Sequence, residues 1–307
     1  MNGVLIIDKP TGLTSHDVVG RVRRILHQPS VGHLGTLDPL ATGVLPLVTG
    51  NLTRLAQFYT SSEKTYEGVI RFGFATDTYD SDGEATGPEQ IVKVSLEEIR
   101  RLGERFVGLV EQMPPPFSAK KIRGVPAYKL ARKHKEVQLK PVQVEIKEFE
   151  ILSVDGTRAG FRARVGSGTY MRSVAHDMGQ QMGCGAHLES LRRTALGEFD
   201  LSQAHTLEEF MAASQTAQQE EMFVEMFIHP RRLLPQIPCV TVSDEVASRI
   251  RSGRSVNLPD LSQSRQVKVF AGQRELIAIA TRIAGTLFHP RIVLATEPAV
   301  QLAEGKG

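Results

Sequence analysis

The chain has 307 residues, 41% of them hydrophobic and 23% charged, with a formal net charge of +3. This is room for one large domain and a smaller one, and it excludes a disordered or collagen-like chain. The mild positive charge permits a nucleic-acid partner without requiring one.

No run of about 18 apolar residues occurs, so no membrane span is expected. The two cysteines, Cys184 and Cys239, are unclustered, which argues against a structural zinc site and suits a reducing cytoplasm. Four apolar residues before Asp8 are too few for a secretory signal core.

Val4–Ile7 reads as a buried strand, broken by the turn from Asp8 to Gly12. Ser15 reads as an N-cap, with Val18, Val19, Val22, Ile25 and Leu26 at helical spacing and Arg21 and Arg24 on the other face. The loop Gly32–Gly43 follows, with three further positions of note: His33, Asp38 and Pro39. Its glycines permit tight turns, and Pro39 biases Asp38 toward an extended backbone. Taken alone, an Asp-Pro turn is an ordinary surface turn. Gly43–Gly50 reads as a buried strand in which Pro46 limits the ladder. Leu52, Leu55, Ala56 and Tyr59 suit a helix.

Lys64–Phe72 alternates as a half-buried strand. The acidic stretch Asp77–Glu84 invites a calcium-loop reading. It departs from that pattern at Thr78, where an aspartate should stand, and at Gly87-Pro88, which spoils an exit helix. Ser95–Val107 reads as an amphipathic helix capped by Ser95. Pro114, Pro115 and Pro116 force an extended segment. From Lys120 to Lys140 there are eight Lys/Arg, including Lys120, Lys121, Arg123, Lys129, Arg132 and Lys133, against one acid, Glu136. With Phe117 and Tyr128 adjacent, this composition fits a phosphate backbone with stackable bases, the alternative being a solvated basic helix.

Val142–Ile146 and Phe161–Val165 read as strands joined near Asp155-Gly156. Gly166–Ser173 is a glycine turn entering a helix that runs to about Met182. An arginine at a helix start opposes the dipole, so Arg172 calls for an anionic partner. His187–Arg193 is a short apolar-basic piece, and Thr206–Ala213 a short helix. A boundary is expected after His229. Beyond it lies a small β-rich module with strands near Val267–Phe270, Glu275–Ala280 and Arg291–Leu294. No dinucleotide fingerprint, Walker A, HExxH or GxSxG motif occurs.

Several of these stretches resemble the motifs of the TruB family of pseudouridine synthases. Gly32–Gly43 is similar to the family's active-site loop and Asp8–Ser15 to its Lys-Pro motif. Lys64-Thr65-Tyr66 resembles Lys-x-Tyr, and Thr76–Gly83 the acidic turn. Gly168–Ser173 resembles Gly-Thr-Tyr-x-Arg, and Leu188–Arg193 Leu-x-x-Leu-Arg-Arg. The match spans about 190 residues in order, and the C-terminal piece is similar, more weakly, to a PUA-type RNA-binding domain.

The resemblance implies an α+β (mixed α/β) fold: a catalytic domain over 1–229 around a central, mostly antiparallel sheet, and a PUA-like domain over 230–307. The basic stretch, about 113–141, corresponds to an insertion that closes over the T-arm. The implied activity is conversion of uridine to pseudouridine at position 55 of the tRNA T-loop, by base flipping. It implies Asp38 as the catalytic carboxylate, with attack on C6, attack on C1′ and sugar-proton abstraction all open, and Arg172 as its ion-pair partner. Tyr66 would stack on the flipped base, Tyr170 and Leu191 line the uracil pocket, and His33 enter the vacated T-loop. Lys9 and Lys64 would support the pocket. Alone, each aromatic or leucine reads as core packing.

The reaction needs neither cofactor nor metal, and a cytoplasmic monomer with tRNA as partner and no obligatory protein partner is expected. Two other readings are a guide-RNA-dependent synthase within a ribonucleoprotein and a non-catalytic tRNA-binding or folding protein.

Overall fold

The computed structural model describes residues 2–117, 121–122, 125–126, 139–216 and 218–294, with the backbone alone at 121–122, 125–126 and 220. Of the basic segment, Lys120, Arg123, Lys129, Arg132 and Lys133 lie outside the described residues, as does the side chain of Lys121.

The chain opens with β1 (Gly3–Lys9) and α1 (Ser15–Ile25). Then come β2 (Val31–His33), β3 (Thr42–Thr49), a 3-10 helix at Gly50–Phe58 and β4 (Lys64–Phe72). Next are α2 (Leu96–Glu104), β5 (Gly108–Gln112) and the two-residue strands β6 (Lys121–Ile122) and β7 (Val125–Pro126). The long hairpin β8 (Val142–Asp155) and β9 (Arg158–Val165) leads to α3 (Met171–Met182) and β10 (Ala186–Leu196). After β11 (Phe199–Asp200) and β12 (His205–Thr206) come α4 (Leu207–Ala213), α5 (Gln219–Met226) and β13 (Phe227–Ile228). The last part holds β14 (Cys239–Val242), α6 (Asp244–Arg251), β15 (Val256–Asn257), β16 (Gln266–Ala271), β17 (Glu275–Ala284) and β18 (Leu287–Val293).

The large sheet runs β12-β1-β3-β10-β4-β9-β8-β5. Its neighbours are antiparallel except β1 with β12 and β3 with β10. A second sheet runs β14-β16-β17-β18-β15. The run at Val4–Ile7 is apolar throughout because β1 is covered on both faces. Leu5 and Ile7 join the core under α1 and α3. Val4 and Ile6 join a second core with Leu233, Leu234, Phe270 and Ile279, which ties the small sheet to the back of the large one.

Two expectations are corrected. Thr14, not Ser15, caps α1: its hydroxyl accepts from Asp17 N while the Asp17 carboxylate accepts from Thr14 N. Ser15 is buried instead, and its hydroxyl accepts from Leu37 N (2.8 Å). The capping pattern Thr-x-x-Asp is as good a box as Ser would make, and only the fold releases Ser15 for the loop. The piece His187–Arg193 is no short satellite but part of β10, the strand between β3 and β4. Its pairing with β4 shifts register between Leu188 and Ser190 and between Arg193 and Ala195, which erases the two-residue alternation.

Where β3 meets β10, Gly43 faces the Arg193 backbone. Its φ is 97°, and an added Cβ would lie 2.2 Å from the Arg193 carbonyl oxygen. Gly43→Ala is therefore expected to cost roughly 3 kcal/mol of stability, combining a left-handed alanine with a backbone clash. A fall in urea midpoint with an unchanged slope would register it.

Candidate active site

The loop between β2 and β3 carries Asp38 and is pinned from three sides. From α1, Ser15 holds both the N–H and the C=O of Leu37. From β1 and its turn, Gly12 N donates to Pro39 O (2.9 Å), and Lys9 Nζ donates to the carbonyls of Pro10 (2.8 Å), Pro39 (3.2 Å) and Ala41 (2.7 Å). From β10, the fully buried Arg193 donates to Val44 O (2.8 Å), Gly35 O (3.0 Å) and Thr36 O (3.4 Å). Two buried cations spent on loop carbonyls keep the loop rigid, because each carbonyl would otherwise be stranded.

Burial pushes the Lys9 pKa down to about 8, against the pull of Asp38, and burial likewise brings Lys64 to about 8. The folded chain thus releases the Lys9 proton near pH 8 and the unfolded chain near 10.5. Between those values the unfolded state binds more protons, so stability rises with pH. Lys9→Met removes the donor to three carbonyls, a loss of about 1–3 kcal/mol at neutral pH, and with the amine it removes the rise above pH 8. The urea-midpoint gap between wild type and variant is expected to widen from pH 8 to 10.5; a narrowing gap would contradict it.

Arg172 is the second residue of α3, where Tyr170 stands at the N-cap position with no side-chain cap. The guanidinium is 5% exposed and meets two carboxylates: Nε lies 2.9 Å from Asp38 Oδ2, and Nη1 lies 3.5 Å from Asp80 Oδ2. Nη1 also donates to Thr78 O and Nη2 to Phe117 O, each at 3.1 Å. An arginine against the helix dipole is thereby anchored by anions and carbonyls. Asp80 is buried, and desolvation holds its carboxyl above the usual range despite the Thr78 hydroxyl and Arg172. The acidic turn thus sends Asp80 inward to an arginine.

These groups open on a cavity of about 290 Å³ lined by Asp38, Lys64, Tyr66, Tyr170, Arg172, Leu191 and Arg193, among others. Six residues singled out from the sequence, Asp38, Lys64, Tyr66, Tyr170, Arg172 and Leu191, therefore share one pocket. Tyr66, on β4, pairs in register with Arg193 on β10, and its phenol offsets part of the burial that lowers the arginine's pKa. Tyr170 is held through its backbone. The buried Gln112 amide donates to Tyr170 O (3.0 Å) and accepts from Tyr170 N (2.8 Å).

His33 is not among the lining residues. It sits edge-on to His16, ring centroids 5.5 Å apart, and burial lowers its pKa with help from His16 and Arg193. Arg193 falls within the Leu188–Arg193 motif with no role implied for it, Ser15 reads from the sequence as an N-cap alone, and nothing in the sequence marks Gln112. An arginine pair ending an apolar stretch was the one available signal, whereas a lone glutamine carries none.

The large mixed sheet, the small β module behind it and the pocket between β4, β10 and α3 make up the pseudouridine synthase fold. The same fold occurs in the crystal structure of a Cbf5–Nop10–Gar1 complex (23% identity over 96% of this chain and 85% of that chain, TM-score 0.69). It recurs in an H/ACA RNP bound to a substrate RNA containing 2′-deoxyuridine (23% identity over 95% and 85%, TM-score 0.70).

The profile described as TruB family pseudouridylate synthase, N-terminal domain, matches residues 23–171. The tRNA pseudouridylate synthase B C-terminal domain matches 172–234. The chain is 48% identical to tRNA pseudouridine synthase B of Solibacter usitatus over 96% of its own length and all of the relative's. It is 36% identical to the Azoarcus protein of the same name over 97% of this chain and 96% of that one. The chain belongs to the TruB family of pseudouridylate synthases, and is thus an isomerase.

Proposed function

We propose that the protein converts uridine to pseudouridine at position 55 in the T-loop of tRNA, with Asp38 as nucleophile. The observation that carries this reading is the ion pair of the half-exposed Asp38 with the buried Arg172 at the wall of a cavity that also holds Tyr66. The guanidinium at that distance orients the carboxylate and balances its charge at the pocket wall. A uridine stacked in a folded loop reaches Asp38 only by leaving the stack, at a cost of a few kcal/mol. Tyr66 offers a ring to replace the lost stacking, and Tyr170 and Leu191 bound the base. His33, which ends β2 just before the Asp38 loop, enters the gap left in the T-loop. The N1–C1′ bond breaks and a C5–C1′ bond forms; C5 loses a proton and N1 gains one, so the reaction is balanced without a co-reactant.

The basic stretch of about 113–141, through Lys120, Lys121, Arg123, Lys129, Arg132 and Lys133, grips the phosphate backbone of the T-arm. Residues 230–307 add a PUA-like RNA-binding surface.

The test is to incubate the purified protein with an unmodified tRNA transcript and map pseudouridine. One product at T-loop uridine 55, with no guide RNA or protein added, is the expected result. Absence of product, or product only with an added guide, would overturn it.

A further inference from the structure

Tyr79, in the acidic turn, has φ 67°. This is the left-handed region, which a bulky residue occupies only when its surroundings hold it there. Its ring lies flat on His176 of α3, with centroids 3.7 Å apart and planes 12° apart. His176 follows Arg172 by four residues, so both project from one face of α3. Burial disfavours the charged imidazole, and among the described residues His176 Nδ1 has no hydrogen-bond partner. The stack on Tyr79 is the ring contact this imidazole makes among the described residues. The two residues flanking Tyr79 both meet the arginine, Thr78 through its carbonyl and Asp80 through its carboxylate.

We propose that the Tyr79–His176 stack is a positioning device for Arg172. It clamps the acidic turn onto α3, so that Thr78 O and Asp80 hold the guanidinium that pairs with Asp38. Neither ring lines the cavity, so the pair acts through Arg172 rather than on the base. Backbone bonds also tie the turn to β10, Leu188 N to Tyr79 O and Ser81 N to Leu188 O, both 3.0 Å. Those bonds fix the turn along the strand. Tyr79 N also donates to Thr76 O (3.3 Å), so backbone bonds set the course of the turn, and the stack adds the side-chain contact that presses it onto α3. The inference rests on the reading of Asp38 and Arg172 as the reacting pair.

The experiment compares wild type, Tyr79→Phe, Tyr79→Gly, His176→Ala and the Tyr79→Gly/His176→Ala double variant on a tRNA transcript. Glycine removes the ring without a left-handed penalty. Each single ring loss is expected to lower kcat about tenfold with KM within about twofold, since a small misplacement of a catalytic group is costly. The double variant is expected to be no worse than the poorer single, because both remove one contact. Tyr79→Phe keeps the ring and is expected to stay near wild type.

A second readout is independent of turnover. The urea-midpoint shift of Tyr79→Gly combined with Arg172→Met should fall short of the sum of the singles. An inactive wild type, or full turnover by Asp38→Ala, would strike the functional reading while leaving that stability coupling to be read. Additive midpoints, full turnover of Tyr79→Gly, or a loss confined to KM would overturn the positioning role.

Discussion

Asp38→Ala is expected to lower pseudouridine formation by at least about 10⁴-fold, while the affinity for tRNA changes by no more than about threefold. The size of the kinetic effect follows from the place of the carboxylate. It is the one ion-paired to Arg172 that stands among the residues lining the cavity. Binding should survive because grip on RNA comes mainly from phosphate contacts spread over many cations. The fold should survive too, since Arg172 keeps Asp80, Thr78 O and Phe117 O. Asp38→Asn, nearly isosteric, should be as inactive as alanine. Single-turnover mapping of product and a filter-binding titration separate the outcomes. Full turnover in either variant would remove Asp38 as nucleophile, and a loss of binding equal to the loss of rate would make it an RNA contact instead.

Arg172→Met is expected to cut the rate by about 10³-fold and to cost about 3 kcal/mol of stability. The guanidinium is 5% exposed and its second partner, Asp80, is as deeply buried. Removing the cation leaves an uncompensated buried carboxylate facing Asp38. Arg172 pulls the Asp80 pKa down and Asp38 pushes it up, so the loss of Arg172 drives it further above its ordinary value. An acid whose folded pKa is raised holds its proton longer in the folded state, so stability falls as pH rises through that window. The deficit of the variant should therefore be largest near pH 7 and shrink toward pH 5 as Asp80 protonates. Urea midpoints across that range check the sign; a deficit that grows on acidification would contradict it. Arg172→Lys keeps the charge but not the fork that serves two carboxylates and two carbonyls, and should fall between.

The sequence by itself determined the elements whose physics is local. β4 was legible to the residue, Lys64 to Phe72, because a half-covered strand must alternate. Helix α2 was legible through its Ser95 cap, although it ends at Glu104 rather than Val107. The Asp38 loop announced itself through glycine and proline, whose backbone limits need no partner. Arg172 signalled an anion because a helix start disfavours a cation whatever lies around it.

Only the tertiary structure decided the rest, since those features depend on residues brought together from far along the chain. Whether Thr14 or Ser15 caps α1 turned on Leu37, 22 residues away from Ser15. The central place of β10 was hidden by its bulges. The burial of Lys9 and Arg193 could not be read from side chains that are ordinarily exposed, because it is loop carbonyls that hold them inside. The Asp38–Arg172 distance and the Tyr79–His176 stack both span segments some 100 residues apart or more. No local periodicity encodes contacts at that separation; the packing of α3 against the sheet does.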